Sequence, residues 1–232
     1  MAGQTAVKGS PTPGNKAVVP PVAEGPSTEE RVVAWAKANQ KYLAIGVGAV
    51  ALVVLTTWFL SVSAKRKANF ARTQLEQAWS AADAGNLPLA SGEFQKVAST
   101  YSGTEAAYEA ALSLNQGRLL SGQSQLAVDD LRKFIGSNPP ARYATRAGML
   151  LGAALENLAK GAEAGQAYEQ AAAAAEADFA KAEALLASAR AYRSAGKQDQ
   201  AVAALRTVLE KYKETASYPV AEIRLAELTK GS

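Results

Sequence analysis

The chain of 232 residues contains no cysteine and no histidine. Those two absences exclude disulfides, zinc sites with nitrogen or sulfur ligands, Ser-His-Asp triads and Cys-His dyads. Aromatic residues are sparse at 7%, and charged residues make up 20%. Two phosphate-binding signatures are also missing: there is no GxxxxGK[ST] loop, and no GxGxxG that opens a helix after a strand. Acid–base chemistry would therefore fall to carboxylates. Asp129 and Asp130 are adjacent and diverge on a helix, while Glu93, Glu156, Glu163, Glu169 and Glu183 are scattered over helix-surface positions. Such a solvated pattern supports no enzyme, no metal site and no cofactor.

What the chain has in excess is alanine, about fifty residues, a usage that favours closely packed helices. The net charge of +4 is unevenly placed. Residues 1–41 carry +2, residues 65–72 carry +4 through Lys65, Arg66, Lys67 and Arg72, and residues 73–232 carry −2. The basic excess thus flanks one apolar run, where anionic lipid head groups attract it. The remainder has no basic footprint for nucleic acid.

That run, Tyr42 to Ala64, is 23 residues without a charged side chain. As a helix it reaches about 34 Å, enough for a hydrocarbon core of about 30 Å. Tyr42 and Trp58 lie towards its ends, Lys41 closes one side, and Lys65-Arg66-Lys67 closes the other. The run is too long, and begins too far into the chain, for a cleaved signal peptide. A transmembrane anchor in a lipid bilayer is predicted. Basic residues near the span number three before it (Arg31, Lys37, Lys41) and four after it, a slight lean towards a cytoplasmic C-terminal side.

Residues 1–26 are Pro/Gly-rich and aperiodic, with Pro11, Pro13, Pro20, Pro21 and Pro26, and read as a disordered tail. Ser27-Thr28-Glu29-Glu30 supplies a capping box for an amphipathic juxtamembrane helix over 27–41. No breaker follows until Gly85-Asn86, so nearly continuous helix is predicted from about residue 28 to 84.

From residue 65 to 232 the sequence repeats. A glycine is followed five residues later by alanine and then by large apolar residues: Gly85/Ala90 with Phe94 and Val97, Gly122/Ala127 with Leu131 and Phe134, Gly196/Ala201 with Leu205 and Val208. A looser third copy places Gly161 before Ala167, giving glycine intervals of 37, 39 and 35 residues. This is a helix–turn–helix array close to the tetratricopeptide length of about 34 residues. Leu185, Ala189, Tyr192, Gly196, Ala201 and Leu205 hold the tetratricopeptide signature places in the last copy, whereas Asn115 and Arg118 depart from it. Residues 218–229 are expected to cap the stack. The predicted fold is all-α: a disordered tail, one transmembrane helix, and a tetratricopeptide-like solenoid of about four hairpins plus a capping helix.

Tetratricopeptide arrays line a concave groove with helix A residues one turn from the packing face. Carried across, that pattern gives Leu112, Gln116 and Leu119 in the second unit, Leu151, Leu155 and Leu158 in the third, and Leu186, Arg190 and Arg193 in the fourth. A leucine-rich groove with a basic rim suits apolar or extended peptide segments. The same leucines equally suit ordinary core packing, and arginines placed like Arg190 and Arg193 are more often solvated helix charges than ligands for an acidic terminus.

The order of features resembles the small bacterial membrane proteins that serve as ancillary subunits of the SecYEG translocon. The resemblance rests on the acidic-capped stretch TEERVVAWAKANQKY, the Gly-containing span LAIGVGAVALVVLTTWFL, the helix ARTQLEQAWSAA and the repeats, and covers roughly residues 27–228. It implies a single-pass protein of the bacterial inner membrane with a cytoplasmic N-terminus. Its periplasmic repeat domain would bind protein partners: translocon subunits, periplasmic chaperones or client chains. No nucleic acid or small-molecule substrate is implied. A second reading is an architectural scaffold subunit of another envelope complex, in cell division or outer-membrane assembly.

Overall fold

Helix ends are set by local chemistry from the first described turn onward. In the computed structural model, which describes Gly25 and residues 27–230, the Ser27 hydroxyl accepts from the Glu30 N–H at 3.3 Å. The Glu30 carboxylate accepts from the Ser27 N–H at 3.0 Å, completing the capping box of α1 (Thr28–Ala38). The tail predicted over residues 1–26 lies, Gly25 apart, outside the described residues.

Among the described residues there are ten helices and no strand. They are divided between two units, residues 1–58 and 59–232. The first holds α1 and the start of α2 (Gln40–Asp83). The predicted continuity from 28 to 84 is interrupted only at Asn39, whose side-chain amide donates to the Trp35 carbonyl at 2.9 Å. Helix α2 is long and apolar enough to cross a membrane, with a most apolar 18-residue window of mean hydropathy 2.3 and none of that window buried. Val50, Leu55 and Phe59 are all about two-thirds exposed.

The second unit is a succession of helical hairpins built on the repeat. The end of α2 pairs with α3 (Leu87–Thr100), α4 (Glu105–Leu120) with α5 (Ser124–Gly136), α6 (Ala141–Asn157) with α7 (Gly161–Ala174), and α8 (Asp178–Ser194) with α9 (Gln198–Lys211). Helix α10 (Ser217–Lys230) packs on α8 and α9 as the predicted cap. Four hairpins plus a capping helix make an all-α, tetratricopeptide-like solenoid.

The third repeat corrects the sequence expectation. Gly85, Gly122 and Gly196 each hold a left-handed φ at the turn, but the third turn places Ala159 there, at φ 56°. In all four turns the left-handed residue donates its N–H three residues back and the next residue donates five back, as in Ala159 to Glu156 (2.8 Å) and Lys160 to Leu155 (2.9 Å). This pair of hydrogen bonds satisfies two carbonyls at the helix end and fixes the backbone whatever side chain it carries. With Ala159 in place, the turns follow one another at a uniform interval of 37 residues.

Ala164, not Ala167, is then the partner of Ala90, Ala127 and Ala201, all essentially buried. Gly161 serves another purpose. A Cβ there would lie 2.9 Å from the Ala191 carbonyl oxygen, so this glycine lets α7 and α8 approach closely. Tyr168 fills the space after Ala164, seated against Gly152, where a Cβ would come within 2.4 Å of its ring.

Candidate protein-binding face

The corrected register decides which predicted groove residues face outward. Leu112, Leu151 and Leu155 are buried members of one core cluster with Tyr143, Ala147 and Tyr168. Leu119 and Leu158 are half-buried against the same cluster, and Leu186 against the core formed by α8, α9 and α10. These leucines hold hairpins together and are not a free groove lining. In the third unit, a shift of two residues moves the helix A face to Met149, Ala153 and Glu156. Only Gln116, Arg190 and Arg193 of the nine are exposed.

Neither arginine forms an open basic rim. Arg190 donates from Nε and Nη2 to the Glu156 carboxylate at 3.3 and 2.9 Å, tying α8 to α6. Arg193 reaches Glu227 of α10 at 3.5 Å. The same device recurs one hairpin earlier: Arg146 Nη1 donates to both oxygens of Glu109 at 3.0 and 2.9 Å, and Arg142 pairs with Glu105. Successive A helices are thus laced by opposite charges on largely exposed side chains, where water and salt screen the attraction and leave each pair little net effect on stability. Their main consequence is that the helix A side carries little uncompensated charge.

Glu156 has a further duty. It accepts from the Tyr168 hydroxyl at 2.8 Å, and burial together with this carboxylate pushes the Tyr168 phenol above its ordinary value. Tyr192 repeats the arrangement with Glu169 at 2.9 Å, and burial first, then the carboxylate, raise it to about 12. Both tyrosines sit over helix glycines: a Cβ on Gly165 would meet the Tyr192 ring at 2.6 Å.

Sequence reading missed the role of the two signature departures in the second unit. Asn115 donates to the Ala111 carbonyl at 2.8 Å and accepts from Arg118 Nη1 at 3.2 Å. Arg118 also pairs with Asp130 and donates to Gln95 at 3.3 Å. Three acceptors from α3, α4 and α5 therefore hold one guanidinium. The signal was present in the sequence as a polar pair at positions that the other copies fill with small or apolar residues.

Beside Arg118 lies a cleft of about 540 Å³, between the first hairpin and α4. Trp79, Leu87 and Leu120 stand at it with exposures of 45, 63 and 86%. Trp79 is held edge-on to Phe94, ring centres 5.1 Å apart, so the rim is ordered from below. Among the described residues no group of three or more acidic side chains is placed to hold a metal ion.

Comparison with known proteins agrees with this architecture. Residues 183–215, which run from α8 through α9, match the tetratricopeptide repeat family model. Two crystal structures of a Podosopora anserina putative kinesin light chain with nearly identical TPR-like repeats resemble the chain at TM-score 0.52 and 19% identity. Each covers 68% of this chain, and the matches span 84% and 85% of theirs. No curated protein matches the sequence. The fold is therefore that of a tetratricopeptide-like repeat array.

Proposed function

We propose that the chain is a single-pass, membrane-anchored protein–protein interaction module, ancillary to the protein translocon, whose repeats bind translocating chains or chaperones outside the cytoplasm. The observation that carries the anchored part is the exposed apolar circumference of α2: large side chains point outward all round the helix over a length matched to a bilayer. Water is a poor solvent for such a surface, and lipid a good one. The repeat scaffold supports the interaction part. The translocon is named on the resemblance of the ordered features from Ser27 to Leu228.

Two experiments test the reading. A single cysteine replacing Ser232, in this naturally Cys-free chain, is exposed to an impermeant maleimide on outer-membrane-permeabilised cells. Labelling is expected; protection until the inner membrane is broken would place the repeats in the cytoplasm, as the basic cluster after the span leans. Co-purification in mild detergent should return translocon subunits. Their absence, with another envelope complex in their place, would favour the architectural scaffold instead.

A further inference from the structure

The three junctions between successive hairpins are closed in different ways. At the third, Gly161 and Gly165 let α7 meet Ala191 and Tyr192 of α8 at distances no Cβ would permit. At the second, aliphatic side chains fill the space: Val128 on α5, and Leu150, Leu155 and Leu158 at α6, all within one core cluster. The uniform 37-residue interval identifies their counterparts at the first junction as Ser91, Ser113, Arg118 and Ser121. At these four positions every aliphatic residue is replaced by a polar one, and Ala154 is matched by Gly117.

Close approach does not make up the difference. A Cβ on Gly117 would meet nothing within 4 Å, so the helices have not moved in to occupy the vacated space. The result is the 540 Å³ cleft with Trp79, Leu87 and Leu120 exposed around it. An apolar rim of this kind is the surface that water leaves most readily on association. Among the described residues that line the cleft the one cation is Arg118, which already has Asp130, Asn115 and Gln95 as acceptors. A charged visitor would find no counter-charge there and would lose its hydration.

We infer that the first inter-repeat junction is an acceptor site for leucine-type side chains on an uncharged segment of a partner polypeptide. The second junction indicates the complementary chemistry, because the same place one repeat later is filled by the chain's own leucines. The rim argues for a polypeptide over a small apolar molecule, since Trp79, Leu87 and Leu120 offer contact area outside the cleft itself. The inference rests on the interaction-module reading and deepens it by naming the site and the class of segment.

The test uses the full chain in lipid nanodiscs, with Trp35 and Trp58 replaced by Phe so that Trp79 reports alone. The probe is a capped, uncharged dodecapeptide with leucines at i and i+4 among Ala, Gln and Ser. It is expected to give a saturable blue shift of Trp79 emission, and versions with both leucines replaced by serine or by lysine should bind at least tenfold more weakly. The variant Ser113→Leu/Ser121→Leu rebuilds the second junction's filling in the first. It should melt higher than the parent, showing that it folds, and lose at least tenfold in peptide affinity.

Absence of a saturable shift, equal binding of the lysine peptide, or undiminished binding by the higher-melting variant would overturn the inference. So would a shift given by 1-octanol but not by the peptide. Failure of the underlying reading looks different: no partner would co-purify with the unmodified chain, whatever the peptide does. If partners co-purify equally with both forms and the peptide binds both, only the assignment of this site falls.

Discussion

Replacing Gly152 by alanine should destabilise the repeats, although in a helix interior the same change ordinarily stabilises by about 1 kcal/mol. Gly152 lies in α6, and an added Cβ would sit 2.4, 2.5 and 2.7 Å from three ring atoms of Tyr168. The ring cannot simply swing aside, because it is 2% exposed and its hydroxyl is bonded to Glu156. Accommodation then costs between the upper range of overpacking, about 3 kcal/mol, and the loss of a buried aromatic side chain, about 3–5 kcal/mol. Subtracting the propensity gain leaves a net loss of about 2–4 kcal/mol, or roughly 4–16 °C in melting temperature for a domain of this size. The control is Gly92→Ala in α3, exposed and with nothing within 4 Å of the new Cβ, which should gain up to about 1 kcal/mol. Thermal melts followed by circular dichroism, together with a double-mutant cycle against Tyr168→Val, measure the effect. A Gly152→Ala protein that melts as high as the parent, or a cycle with no coupling, would refute the close-approach argument.

Ala159→Gly should stabilise by about 1 kcal/mol, read as a higher denaturation midpoint, because it relieves the left-handed backbone held at φ 56°. Glu156→Ala should cost about 1–3 kcal/mol by leaving the buried Tyr168 hydroxyl without its acceptor, whereas Arg190→Ala, which removes a half-exposed partner, should cost about 1 kcal/mol or less in the same denaturation assay. The tyrosine phenols set an alkaline limit. Tyr192 is raised to about 12 and Tyr168 is raised too, so each folded phenol keeps its proton after the unfolded one, near pH 10, has lost it. Their contribution is complete below about pH 10 and lost as pH rises through the folded value. Melting temperature should therefore fall above about pH 10, and Tyr168→Phe/Tyr192→Phe should flatten that fall.

The sequence by itself determined the elements that local chemistry controls. The Ser27 capping box, the uncharged run from Tyr42 to Ala64, the glycines at three of the four turns and the buried alanines five residues after them are consequences of caps, hydropathy and backbone freedom, which neighbouring residues set. Tertiary structure decided what a one-dimensional pattern leaves ambiguous. A glycine reads alike whether it serves a left-handed turn, as Gly122 does, or close helix approach, as Gly161 does, and only the facing helix separates the two. Choosing Gly161 as the third turn displaced that repeat by two residues, which is about 200° around a helix, so Leu151 and Leu155 were placed on the groove face when they lie in the core. Leu112 shows a further limit: its register was right, yet α6 packs over it. Charge followed the same division. Arg190 and Arg193 are basic in the sequence, but Glu156 and Glu227, some 34 residues away along the chain, neutralise them in the fold. The open first junction belongs wholly to the tertiary level, since the serines that leave it empty are unremarkable in sequence and acquire meaning only beside the leucines that fill the same place one repeat later.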